Sequence, residues 1–159
     1  MYLRTMNYSP FQWNLFTVFK LPSAFFSGVR VREASHKRVL VKVRYNWFNT
    51  NPFKSMYWAT QGMASELATG IVMFKAIDKA KVKVSMLVTA QKGQFFKKAV
   101  GTIVFSCDYK NQIQEAIEAA KKTGEGQVIN LSSEGVDESN TVVSRFEYEW
   151  SIKIKSKQY

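Results

Sequence analysis

Apolar and polar positions follow two periods along this chain, and the switches between them divide it into elements. Val29 and Val31 alternate with Arg30 and Arg32, and Val39, Val41, Val43, Tyr45 and Trp47 alternate with Arg38, Leu40, Lys42, Arg44 and Asn46. This period of two predicts two half-buried strands, joined by a turn through Ser35, His36 and Lys37 that leaves His36 exposed. Ahead of them FQWNLFTVF and KLPSAFF read as a folded helix. After them Asn49, Thr50, Asn51 and Pro52 form a loop, Pro52 biases Asn51 away from helical geometry, and Ser55 can cap a long helix ending near Ala76. Val82, Val84, Met86, Val88 and Ala90 then alternate with polar neighbours, Gly93 supplies a turn or bulge, and residues 99–107 form a further strand, the two making a hairpin. Asp108 can cap a second helix in which Ile113, Ala116, Ile117 and Ala120 recur at helical spacing, with Gly124 as its stop. Residues 127–136 and 141–155 read as a last hairpin, with Phe146, Tyr148, Trp150, Ile152 and Ile154 on one face.

The long helix carries the most pointed chemical signal. Residues 55–74, SMYWATQGMASELATGIVMF, contain no Pro, Lys, Arg or His, and Glu66 is their only carboxylate. Ser55, Ala59, Gly62, Met63, Glu66 and Gly70 fall within one stripe of roughly 100°. Each glycine costs about 1 kcal/mol relative to Ala in a helix interior, so the stripe serves close approach by a backbone or ligand rather than helix stability. The run has the length of a membrane span, but Gln61, Ser65, Glu66 and two Thr argue against insertion. Three readings of Glu66 remain open: a core acid paired with a base, an acid that reaches water, and a functional carboxylate. Isolation on an apolar element raises the carboxyl pKa and makes it a candidate base or nucleophile.

Composition narrows the choice. A chain of 159 residues with 46% hydrophobic side chains has the length and apolar content for one packed domain, 1–159, with residues 1–8 read as a poorly ordered extension and Met6 as an alternative start. A single cysteine, Cys107, excludes an internal disulfide, and with His36 the only histidine a His/Cys zinc site is not expected; no metal is assigned. These features fit a reducing, cytoplasmic setting. Cys107 itself reads as inert core. No cleavable leader is apparent, and there is no G-x-S-x-G elbow, GxGxxG loop or Walker lysine. The net charge of +11 resides in residues 28–98, where 14 Lys and Arg face Glu33, Glu66 and Asp78. A polyanion such as the nucleotide part of coenzyme A suits that surface; nucleic acid has only the charge in its favour, since the aromatics of RYNWFN are expected to face the core.

A long helix with few polar residues needs cover on most sides, which a curled antiparallel sheet of about six strands provides. The segments PSAFFSGVRVREAS and RVLVKVRYNWFNTNPFKSMYWATQGMASELATG, followed by the strands after Ala80, resemble the thioesterase-like hotdog family related to the phenylacetate-pathway and hydroxybenzoyl-CoA thioesterases. The resemblance implies an α+β hotdog fold, a sheet round a central helix with an N-terminal helix and a second short helix. It implies an acyl-CoA or other acyl thioester as substrate, with coenzyme A entering only as part of it, and a homodimer or dimer of dimers. It places Glu66 as nucleophile or general base and Asn51 as the loop amide that binds substrate or water. Amides of the first helical turn, those of Trp58 and Ala59, would hold the oxyanion, and Lys92, Lys97 and Lys98 would meet the phosphates. Where relatives carry His-Gly-Gly this chain has Met56, Tyr57, Trp58 and Ala59, so a non-catalytic acyl-CoA-binding or structural hotdog protein stands as the alternative.

Overall fold

The computed structural model describes residues 9–155; the expectations about residues 1–8 and Met6 lie outside them. Helix α1 (Pro10–Lys20) starts with a capping box, in which Ser9 and Gln12 each accept a hydrogen bond from the other's backbone amide and Pro10 occupies the first turn. A short α2 (Pro22–Phe26) follows. Strands β1 (Arg30–Ala34) and β2 (Arg38–Arg44) form the first hairpin. A 3₁₀ turn at Trp47–Asn49 then leads through a loop to α3 (Trp58–Ala80). Strands β3 (Val84–Phe95) and β4 (Thr102–Asp108), α4 (Asn111–Thr123), and strands β5 (Gln127–Val136) and β6 (Val142–Ile154) complete the order.

The six strands form one antiparallel sheet in the order β1-β2-β4-β5-β6-β3, and it wraps α3 in the hotdog arrangement. Alternation decides which side chains meet the helix. Val39, Val41 and Val43 of β2, Ile103, Phe105 and Cys107 of β4, Ile129 and Leu131 of β5, and Phe146, Tyr148, Trp150 and Ile152 of β6 are buried, as are Ala64, Leu67, Ala68, Ile71, Val72, Met73 and Ala76 of α3. Ile113, Ile117 and Ala120 of α4 pack onto the same core, and Gly124 ends α4 in the left-handed conformation.

The elements depart from the sequence reading at definite points. Strand β2 stops at Arg44, because Asn46 turns the chain: its side chain accepts from the Phe48 amide while Asn49 accepts from the Asn46 amide. Tyr45 still packs partly buried against the core, but Trp47 leaves the alternating register and is exposed. Ser55 does not cap α3. It is held by Asn51, and the helix begins three residues later behind Tyr57 and runs on to Ala80. Lys110, not Asp108, precedes α4, because Asp108 is still paired in β4. Strands β3 and β4 are not a hairpin: β3 pairs with β6 along its whole length, and β4 sits between β2 and β5. The bulge in β3 falls between Val88 and Ala90, and Gly93 serves close approach instead, since an added Cβ would lie 3.0 Å from Phe146 Cε1.

The two sheet edges are treated differently. At β1 the Asn14 side chain of α1 donates to the Val31 carbonyl at 3.0 Å and accepts from the Val31 amide at 2.8 Å, so one amide stands in for a neighbouring strand. At β3 no described residue covers the 12-residue edge in this way, and from Ala90 to Gln94 only Gly93 is even partly buried. Asn14→Ala is expected to cost about 1–2 kcal/mol, the loss of two partly buried backbone pairings. Urea unfolding of the variant measures this, and an unchanged midpoint would show that the β1 edge does not need Asn14.

Candidate functional site

Glu66 lies midway along α3, where the stripe of small residues faces β6. An added Cβ at Gly62 would be 3.7 Å from Phe146 Cε1, and one at Gly70 would be 3.6 Å from both Trp150 Cη2 and Glu66 Oε1. The carboxylate thus lies beside Gly70, in the same neighbourhood as the Trp150 ring. Both glycine contacts are ordinary van der Waals distances, so nothing within this chain requires glycine there. Burial pushes the Glu66 carboxyl above the usual carboxylate range. Among the described residues no cation pairs with it and no hydrogen bond reaches its carboxylate. That removes the reading of Glu66 as a core acid neutralised by a base. Tyr148 closes the adjoining space by donating to the Gly62 carbonyl at 3.1 Å, and burial raises the pKa of its hydroxyl. Trp150 Nε1 donates to Thr69 Oγ1 at 3.2 Å. The aromatic wall beside Glu66 is therefore fixed by hydrogen bonds to α3 itself.

The other sequence candidates gather elsewhere. A cleft of about 570 Å³ opens at the start of α3, lined by the 51–53 loop, residues 55–58, Gln61 and residues 95–99. Asn51, Trp58, Lys97 and Lys98 all line it; Ala59, Glu66 and Lys92 do not. The Asn51 amide is occupied by its own loop: its oxygen accepts from the Phe53 and Ser55 amides, and its nitrogen donates to Ser55 Oγ at 3.1 Å. The Asn49 side chain is buried and bonded to the Ser27 and Arg44 carbonyls. Lys97 pairs with Asp137 at 2.6 Å, holding that carboxyl well below the usual range with help from Ser139 and Thr141, and Lys98 donates to the Phe53 carbonyl at 3.2 Å. Lys92 stands on edge strand β3, opposite Glu147.

At the mouth of this cleft the helix offers its unused amides. Tyr57 provides no side-chain cap, and its carbonyl is the acceptor for the Thr60 and Gln61 amides. The Trp58 and Ala59 N–H groups precede the first intrahelical donor and are not consumed by the helix. Trp58 is half-exposed and leans on Tyr57, with ring centroids 5.9 Å apart. Gln61 was weighed in the sequence only as a polar residue in an apolar run. In the fold it is buried, donates to the Met56 carbonyl and accepts from Ser144 Oγ at 2.9 Å, tying the cleft floor to β6. No local pattern marks that role, because its partner is 83 residues away.

A larger depression of about 880 Å³ at the far end of α3 holds Lys75, Lys79 and Lys121 beside Asp78 and Glu118, and none of the sequence candidates. Cys107 is buried, and burial raises its thiol to about 12, with Lys110 opposing the shift and Asp108 adding to it. It is a core residue and not a nucleophile.

Comparison with known proteins agrees with this architecture. PA5026 from Pseudomonas aeruginosa, described as a protein of unknown function and probable thioesterase, superposes with a TM-score of 0.79 at 19% identity, over 92% of this chain and 97% of that one. The mutant thioesterase PA1618 from the same organism gives 0.74 at 6% identity over 97% and 100%. The thioesterase HI1161 from Haemophilus influenzae gives 0.70 at 9% identity over 99% of both chains. At these identities the likeness is one of fold. No curated protein matches the sequence. The family described as a domain of unknown function, DUF4442, matches residues 12–152, and the chain belongs to that family.

Proposed function

We propose that the protein acts on acyl thioesters such as acyl-CoA, and that Glu66 is the group that hydrolyses them. The observation that carries this reading is the state of Glu66: a desolvated, unpaired carboxylate with a raised pKa on the central helix. As general base it takes a proton from water while the water oxygen bonds to the thioester carbonyl carbon. The tetrahedral oxyanion rests on free helix-start amides, its collapse breaks the C–S bond, and the departing thiolate takes the proton back from Glu66. Direct attack by the carboxylate through an acyl-enzyme anhydride uses the same group. Lys98 at the cleft and Lys92 on β3 are the lysines we assign to phosphates, with Lys97 contributing charge already shared with Asp137.

The helix geometry supports a site built from two copies. Eight residues of unbroken helix separate Trp58 from Glu66, about 12 Å along the axis. One chain's Glu66 therefore does not reach a carbonyl held at its own Trp58 and Ala59 amides. A second copy that pairs along the open β3 edge meets the side of the molecule where Phe146 touches both the α3 stripe and Gly93 of β3. Light scattering at micromolar concentration is expected to give a dimer or dimer-of-dimers mass; a monomer would remove this site.

A second reading, acyl-thioester binding without turnover, is favoured by one observation. The Asn51 amide is used up within its loop and a half-exposed tryptophan stands at the cleft mouth. The variant Glu66→Gln separates the two. If Glu66 is base or nucleophile, turnover of a panel of acyl-CoAs falls by about a hundredfold or more while calorimetric binding persists. Wild-type protein that binds the panel without turning it over would establish the second reading.

The same variant reports the burial of the carboxylate. Because the folded-state pKa of Glu66 is raised, its contribution to stability is fully present below the unfolded carboxyl pKa and is lost as pH rises through the folded value. Glu66→Gln carries no charge to bury. It is therefore expected to melt above wild type at about pH 8 and to lose that advantage at about pH 4, near the unfolded carboxyl pKa. Equal melting differences at both pH values would show that the carboxylate is solvated.

A further inference from the structure

Outside the cleft, where Phe53, Phe95 and Phe96 are exposed, the apolar surface that the fold leaves open includes a set of side chains on α1, α2 and the 3₁₀ turn. Helix α1 turns Trp13 and Thr17 to the core and presents Phe11, Leu15 and Phe19, one every four residues, to solvent, with Phe11 and Phe19 each 74% exposed. At the end of α2, Phe26 is exposed as well. The 3₁₀ turn adds Phe48 and Trp47, the latter 86% exposed. The 3₁₀ turn adjoins the end of α2, where Asn49 donates to the Ser27 carbonyl at 3.0 Å and Gly28 lies within contact of the Asn46 side chain, and α2 in turn packs on α1. The Asn46 and Asn49 bonds that lift the chain out of β2 hold the two aromatics out from the surface.

The charges around this patch have one sign. Residues 9–65 carry eight Lys and Arg and a single carboxylate, Glu33, which is paired with Arg38 at 3.2 Å. Lys20 ends α1, Arg32 and Lys42 are exposed on the first hairpin, and Arg44 immediately precedes the 3₁₀ turn. We propose that this face, α1 with the Trp47–Phe48 turn, docks on an anionic lipid surface. Exposed Trp, Phe and Leu on one face with a cationic rim is the composition of elements that lie in a bilayer interface, and basic side chains are drawn to acidic headgroups. No helix of the described residues is long and apolar enough to cross a membrane, so the element lies on the surface. A second copy is a poorer occupant, because a symmetric contact would set Lys20, Lys42 and Arg44 against their own images.

Co-sedimentation of the full chain with phosphatidylcholine vesicles, with and without phosphatidylglycerol, tests the proposal. Binding is expected to the phosphatidylglycerol vesicles and to weaken with added salt. Trp47→Ser, and separately Phe11→Ser with Phe19→Ser, should each weaken it about tenfold or more. Melting temperatures should hold, since these side chains are exposed. Lys42→Glu with Arg44→Glu should reduce binding to the anionic vesicles specifically. No binding to either vesicle overturns the proposal. So does binding that the aromatic variants leave unchanged, which would be charge attraction alone. Aromatic variants that convert a larger species to a smaller one in light scattering, without vesicle binding by the wild type, would assign the face to a second copy instead.

Discussion

The structure depends on one burden: α3 is apolar nearly all round and has to be covered on most of its circumference. Of its 23 residues, 11 are buried, and they include Thr60, Gln61, Ser65 and Thr69 as well as the aliphatic face. A flat sheet covers one side of a helix, whereas a curled one covers most of it. The sheet answers two of these buried polar side chains, Ser144 to Gln61 and Trp150 to Thr69. Strand β6 supplies both partners and the aromatic wall beside Glu66, so the strand that completes the core also shapes the surroundings of the carboxylate.

Wrapping a sheet round a helix leaves two edges, and the chain resolves only one of them internally. At β1 the side chain of Asn14 saturates an amide and a carbonyl that would otherwise recruit another strand. At β3 no described residue plays that part, and the glycines of the α3 stripe one strand away face the Phe146 and Trp150 rings of β6.

The loop between β2 and α3 shows how local hydrogen bonds redistribute surface. Asn46, Asn49 and Asn51 each turn inward to satisfy backbone groups, and their aromatic neighbours Trp47, Phe48 and Phe53 are turned outward as a result. The same three amides that give the loop its rigidity leave Asn51 with little hydrogen-bonding capacity for a substrate.

Much of the architecture was legible in the sequence, because alternation and helical spacing report which residues need a core. The order of elements, the β1-β2 and β5-β6 hairpins, the inward face of β6 and the isolation of Glu66 all follow from that signal. What it did not contain is neighbourhood. Strands β3 and β4 read as a hairpin since they adjoin in sequence, yet the curl round α3 puts β3 beside β6, its paired residues 49 to 70 positions on, and no local pattern distinguishes those partners. Ser55 and Trp47 were misplaced for a related reason. Each looked like a cap or a strand residue by its immediate spacing, and each was claimed by an asparagine hydrogen bond whose geometry exists only once the loop has closed. Whether Glu66 is paired was equally undecidable from 23 basic residues along a chain. The fold placed them away from it, since a curled sheet offers α3 its apolar face and leaves the cations outside.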